Sequence, residues 1–288
     1  MTIFELNIIS TTGHPFYNVK INEIPEGVRI NLRFFDFSQE MDEEELIDPE
    51  SRVELTAGLI SALFEFSRAI DKKLHSIEFQ SRINSHSFNL SNNASDILIT
   101  CSSEIFLNKE AIKQKIKFIY KTVIEPKIPL ITASKLLTPE QELIWSILTD
   151  DEARNYFKDR EEEFTKVAYE LLEKKNKLGL EMICLYSFDF SIVKIFGKIY
   201  SLEEITNIMR HLQIIVNIPP FGYEIMHIRK KDKDLSIYFA NSGVGVTVNN
   251  SNEQLFEPYY YSFIGNSNKE LGEAVEDMIK QLNDILKE

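Results

Sequence analysis

Leu180–Arg210 reads LEMICLYSFDFSIVKIFGKIYSLEEITNIMR. Two β-rich runs, Leu180–Ser187 and Ser191–Tyr200, flank the break Phe188-Asp189-Phe190, which predicts a hairpin. Ser201 then stands at a helix start with Glu204 three residues on, the spacing of a capping box. Behind it Ile205, Ile208, Met209 and Leu212 recur at helical spacing. A strand pair running directly into an amphipathic helix is the unit from which the rest of the chain is read.

Downstream, Tyr223–Arg229, Leu235–Ala240 and Gly245–Val248 predict three strands. Lys231-Asp232-Lys233-Asp234 and Asn241-Ser242-Gly243 supply turn residues between them. A last helix over Asn268–Lys287 carries Leu271, Ala274, Met278, Ile279, Leu282 and Ile285. Upstream the same order recurs. Ile3–Ser10 and Phe16–Ile21 form a strand pair around Gly13 and Pro15, and Pro49 opens a helix reaching about Asp71. Strands follow at Leu74–Ile83, Ser85–Leu90 and Asp96–Cys101, then a helix over Lys109–Ile124 that Pro126 and Pro129 end. Val28–Phe37 is one strand more than the repeat needs; its strict alternation puts Val28, Ile30, Leu32 and Phe34 on one buried face.

Between the two halves, Thr138, Pro139 and Gln141 mark one helix start and Thr149-Asp150-Asp151-Glu152 a second. The helical stretch beyond carries Phe157, Phe164, Val167 and Leu171 and lacks the Gly and Ser of a flexible linker. The expected organisation is α+β: two antiparallel-sheet domains of β-β-α-β-β-β-α type, at 1–135 and 180–288, joined by a helical connector at 136–179.

This order, stated twice, resembles the longin/roadblock superfamily. The hairpin Ile3–Ile21 is similar to that family's first hairpin. Leu55-Thr56-Ala57-Gly58-Leu59-Ile60-Ser61-Ala62-Leu63-Phe64 is similar to its first helix, and Ser76-Ile77-Glu78-Phe79 to the strand that follows. The resemblance covers Met1 to about Glu125 and again Leu180 to Glu288. It implies tandem platform domains that pair as an internal pseudo-dimer and bind small GTPases or adaptors in trafficking or signalling, in some cases regulating nucleotide state.

Composition narrows the partners. Lys and Arg number 32 against 45 Asp and Glu, a net charge of −13, which disfavours nucleic acid and anionic lipid surfaces. Two cysteines, Cys101 and Cys184, are too few for a disulfide framework and read as buried thiols. The opening MTIFELNIIS lacks a basic leader and carries Glu5 within its apolar residues, so it reads as a strand rather than a signal peptide. No apolar run approaches a bilayer span, and the expected location is cytoplasmic.

No Walker-type loop, G-x-S-x-G, H-E-x-x-H or paired C-x-x-C occurs. His14, His75, His86, His211 and His227 are scattered, though His75 and His86 flank neighbouring predicted strands. Gly243-Val244-Gly245 lies at a predicted strand–strand turn, the wrong place for a dinucleotide loop. The run Asp42–Glu45 lacks the glycine and spacing of a calcium loop and reads as a solvated loop. Arg229, Lys230, Lys231 and Lys233 make one compact basic patch at a hairpin tip. No catalytic residue, metal ligand or cofactor site is nominated.

One aromatic stretch stands out, Phe256-Glu257-Pro258-Tyr259-Tyr260-Tyr261-Ser262-Phe263, read as a loop between the last strand and the last helix. Phe256, Tyr259, Tyr260 and Tyr261 either anchor a protein partner or fold back under the helix. Trp145 faces the same choice, with packing between the domains the simpler reading. The expectation is a non-enzymatic interaction protein. The alternatives are a small-molecule sensor with a pocket between sheet and helix, and an enzyme with a dispersed site.

Overall fold

The computed structural model describes residues 3–10, 15–37, 73–80, 97–127, 136–197, 199–211, 218–230, 233–250, 253–267, 269 and 271–287. The predicted helix over Pro49–Asp71, the predicted strand Ser85–Leu90, the run Asp42–Glu45 and His86 lie outside them. The chain is α+β, and its described residues form two five-stranded sheets that are mainly antiparallel. It divides into two compact units: Thr2–Ile105 with Val123–Glu140, and Phe106–Thr122 with Gln141–Glu288. Among the described residues no helix is long and apolar enough to cross a membrane.

The first unit holds β1 (Ile3–Ser10), β2 (Pro15–Lys20), β3 (Arg29–Asp36), β4 (Lys73–Gln80) and β5 (Ile97–Glu104), in the order β2-β1-β5-β3-β4. Val28–Phe37 therefore supplies a strand inside the sheet. It pairs antiparallel with β5 and parallel with β4. Its burial differs from the alternation: Asn31, Arg33 and Phe35 are buried, whereas Leu32 and Phe34 are only partly so. Cross-strand partners explain this. Arg33 Nε donates to Glu78 Oε2 at 3.0 Å and its Nη1 donates to Ser103 Oγ, while Ser76 Oγ donates to Asn31 Oδ1 at 2.8 Å. Polar groups that bring their own partners can enter a core that pattern alone denies them.

The second unit gathers α1 (Lys109–Ile119), α2 (Thr138–Thr149), α3 (Asp151–Lys158), α4 (Glu161–Lys175), β6 (Leu180–Tyr186), β7 (Ile192–Phe196), α5 (Leu202–His211), β8 (Tyr223–Lys230), β9 (Lys233–Asn250), β10 (Glu253–Asn266) and α6 (Ala274–Leu286). Here α2 is meant from Gln141 onward. Its sheet runs β7-β6-β10-β9-β8 and is antiparallel throughout. Ser201 and Glu204 form the expected capping box, Glu204 N–H donating to Ser201 Oγ at 3.3 Å and Ser201 N–H to Glu204 Oε2 at 3.0 Å. At α2 the reach-back comes from Glu140, which accepts from Leu137 N–H at 2.6 Å, one position earlier than the Gln141 reading.

Both faces of this sheet are covered. On one, Ile183, Leu185, Tyr238, Tyr261 and Phe263 meet Phe157 of α3, Phe164 and Leu171 of α4, and Met278 and Leu282 of α6. On the other, Tyr186, Phe239 and Tyr260 surround Phe190, and Tyr186 Oη contacts Met209 Sδ of α5 at 3.7 Å. The helices read as a connector thus build part of this core. Trp145 is 38% exposed.

Two expectations fail here. Asn241-Ser242-Gly243 is not a turn between strands, and the aromatic stretch is not a loop: β9 runs unbroken through the first, and β10 contains the second. The turn-forming residues serve a bulge instead. Gly243 takes φ +69, its N–H donates to Asn241 Oδ1 at 2.9 Å, and the β9–β10 register shifts beside Pro258. Gly245 is where the two backbones close up: a Cβ there would lie 2.0 Å from the Glu257 carbonyl oxygen.

Candidate functional site

The bulge places Glu257 near the most polar part of the interior, inside the second unit. Lys115 approaches from α1. Asn108 caps that helix, accepting from Glu110 and Ala111 N–H, and Ala111, Ile112, Ile116 and Ile119 form its buried stripe. Lys115 sits within the stripe, three residues after Ile112 and four before Ile119, and is fully buried.

Its ammonium has two carboxylate partners. Asp150 Oδ1 and Asp189 Oδ2 each lie 2.7 Å from Nζ, and all three side chains are at most 2% exposed. Asp150 occupies the N-cap of α3 without capping it; its φ of 56 turns the carboxylate away from the helix and inward. Asp189 belongs to the β6–β7 hairpin, which Ser187 N–H to Ser191 O at 2.9 Å and Phe190 N–H to Ser187 O at 3.0 Å close. Phe190 also has positive φ, 73. Two bulky or charged residues held in the left-handed region beside one cluster are paid for by the contacts around them.

The hydroxyls give the cluster a direction. Arg154 of α3 can only donate, and its Nη2 reaches Ser191 Oγ at 2.7 Å. Ser191 Oγ lies 2.6 Å from Ser187 Oγ, and Ser187 Oγ donates to Asp150 Oδ2 at 2.8 Å. The proton order that satisfies each group once is Arg154 to Ser191, Ser191 to Ser187, Ser187 to Asp150. Asp189 Oδ1 in turn accepts from Ser191 N–H at 2.9 Å.

Burial and charge set the titration. Burial alone would lower Lys115, but Asp150, Asp189 and Glu257 outweigh it and raise it well above the usual lysine range. Burial, with Asp189 nearby, raises Asp150 to about 6 against the pull of Lys115. Burial works to raise Asp189 as well, but Lys115 and the Ser191 hydrogen bonds prevail and hold it at about 2. Glu257 is 1% exposed, neither carboxyl oxygen has a hydrogen-bond partner among the described residues, and burial followed by Asp150 pushes it up to about 9.

These side chains are buried, so the charge each carries is set by its neighbours in the cluster rather than by water. Among the described residues no group of His, Cys, Asp and Glu is set to hold a metal ion; at the centre of this cluster the cation is the lysine. Lys115 escaped the sequence reading, while Asp189 entered it only as part of a hairpin break and Asp150 only as part of a helix start. The available signal was a lysine on the apolar stripe of a helix.

The nominated aromatic residues separate. Tyr259, Tyr260 and Tyr261 are buried, whereas Phe256 is 47% exposed. Tyr259 Oη donates to Ala153 O, and Tyr261 Oη donates to Asn283 Oδ1 at 2.8 Å. Tyr260 packs edge-on against Phe190 with ring centroids 4.7 Å apart. Cys101 and Cys184 are both buried thiols rather than halves of a disulfide, and burial pushes Cys184 up to about 11.

No protein-family model, no curated protein and no solved structure matches the chain.

Proposed function

We propose that the chain is a non-enzymatic interaction platform of longin/roadblock kind, its class being a tandem of β-β-α-β-β-β-α domains. Its partner is a small GTPase or an adaptor. The element order β6-β7-α5-β8-β9-β10-α6 around one sheet supports the class. The observation that carries the function is the apolar side chains displayed along the β8 end of that sheet: Phe221 is 57% and Ile225 47% exposed. An edge strand has unpaired backbone groups, and apolar side chains on it favour a protein partner over water. If the surface holds one switch state of a GTPase more tightly than the other, linkage biases nucleotide exchange or hydrolysis.

The test is binding of the full chain to small GTPases loaded with GDP or a non-hydrolysable GTP analogue. Nucleotide-dependent binding that Ile225→Lys abolishes supports the reading; no binding to any of them in either state overturns it.

A groove of about 390 Å³ favours a second reading, a small-molecule sensor. Tyr169, Leu172, Glu181, Ile199 and Lys269 line it where α4 meets the ends of β6 and β7. A small molecule bound there would protect Gly179 and Gly197 amides without any protein partner.

A further inference from the structure

The charges buried in the second unit do not cancel if every group ionises. Lys115 offers one positive charge to three carboxyl groups, Asp150, Asp189 and Glu257. Arg154, held by hydrogen bonds to Ser191 Oγ and to the carbonyls of Thr149 and Ile192, brings a second positive charge to the edge of the cluster, which leaves one carboxyl in excess. An interior this closed does not hold surplus negative charge; one carboxyl keeps a proton.

Hydrogen bonding decides which. Asp189 accepts from Lys115 and from Ser191 N–H, while Asp150 accepts from Ser187 at Oδ2 and is ion-paired with Lys115 through Oδ1 at 2.7 Å. Glu257 accepts from nothing among the described residues. A carboxylate without donors is the costliest charge to keep, so the proton belongs on Glu257. Its surroundings agree: it faces Asp150 and Glu152 from the α2–α3 corner and α3, Lys115 from α1 and Asp189 from the β6–β7 hairpin, with Tyr259 on its own strand.

We infer that the proton on Glu257 latches α1 onto the second unit: while the carboxyl is neutral the helix stays docked, and conditions that remove the proton favour its release. The other members of the cluster are fixed in continuous chain, Asp150 and Asp189 in short connections and Glu257 in β10, which pairs on both sides. α1 lies against β10. It is tied to the rest of the unit by Lys115, paired with Asp150 and Asp189 at 2.7 Å each, and by Asn108 N–H to Asp189 O at 3.1 Å. Lifting it takes the Lys115 charge and the cover of α1 away from the Glu257 side of β10, and hydration returns that carboxyl to its ordinary acidity. Opening is thereby linked to proton loss.

Amide hydrogen exchange on the full chain tests this. After correction for intrinsic chemistry, the opening equilibrium of the Ile112–Ile119 amides rises about tenfold per pH unit between roughly pH 6 and 9. In Glu257→Gln, which is neutral at every pH, it stays flat. The β9 and β10 amides at Tyr238 and Tyr261 open far less often than those of α1 at every pH, because they exchange only when the whole unit unfolds. A flat response in the native chain, an unchanged slope in E257Q, or equal opening equilibria in α1 and β10 overturns the latch, the last because the whole unit would then be opening. Should E257Q not fold, infrared spectroscopy of the native chain decides: a protonated-carboxyl stretch at neutral pH that vanishes at high pH is required, and its absence overturns the proposal.

Discussion

Asp150 stands at the head of helix α3 yet gives its carboxylate to Lys115, 2.7 Å away, rather than to the helix N–H groups beneath it. An aspartate at an N-cap ordinarily accepts from the first turn. Here the left-handed backbone of Asp150 redirects it, and a cation from a distant helix takes the place of the cap.

Removing that cation is expected to be costly. Lys115→Met leaves Asp150 and Asp189 buried without their positive partner, and breaking a buried pair from one side costs about 3–5 kcal/mol. Urea unfolding of the full chain should show that loss in the transition of the second unit. The triple variant K115M/D150N/D189N should recover most of it, because the uncompensated charge goes with the lysine. A K115M chain as stable as the native one contradicts the account.

The pH dependence has a definite sign. Glu257 and Asp150 have folded-state values raised to about 9 and about 6, so the folded chain keeps protons that the unfolded chain has shed. Stability from these groups is present at the acidic side of each window and lost as pH rises through it. Asp189, lowered to about 2, acts in the opposite sense and only in acid. Above about pH 6 the Glu257 contribution remains, falling by about 1.4 kcal/mol per pH unit toward pH 9. The difference between native and E257Q urea midpoints across this range isolates it; parallel curves contradict it.

How legible this was depended on what each residue type signals locally. Ser201 and Glu204 announced their helix because both halves of the capping box are close in sequence. Strand β10 was hidden by Pro258, which ordinarily argues against a paired strand. Its pairing survives because β9 bulges over Asn241–Gly245, so one strand's tolerance for proline is supplied by the other. The ionic cluster was hidden for a different reason: Lys115, Asp150, Asp189 and Glu257 come from separate elements, and no local spacing relates them. Lys115 alone gave a local sign, as a charge on an apolar stripe.

Gly245 should tolerate no side chain. A Cβ there would meet the Glu257 carbonyl oxygen at 2.0 Å and Pro258 Cα at 2.6 Å, both backbone atoms that cannot swing aside. Gly245→Ala is expected to lose about 3 kcal/mol, the upper part of the usual overpacking range. Gly27 is the control, with φ +79 but nothing within 4 Å of its Cβ position. Gly27→Ala should lose only about 1–2 kcal/mol, the cost of the left-handed backbone. Equal losses in thermal or urea unfolding would contradict the close approach of β9 and β10.

Phe221 separates stability from binding. It is the third residue of the turn Pro219–Gly222, closed by Gly222 N–H to Pro219 O at 2.9 Å, and has φ 64. That position suits glycine or asparagine; a phenylalanine there carries strain of about 1 kcal/mol. Its backbone is held in place by Phe221 N–H to Asn241 O and Asn241 N–H to Gly222 O, both 3.0 Å, and its ring covers Gly243 while 57% of the residue stays exposed. Phe221→Asn relieves the strain and removes the exposed ring. The expected result is an unfolding midpoint equal to or above that of the native chain, together with at least tenfold weaker binding to a partner that docks at β8. A variant that is less stable but binds normally would show that the ring serves the fold of the turn and not recognition.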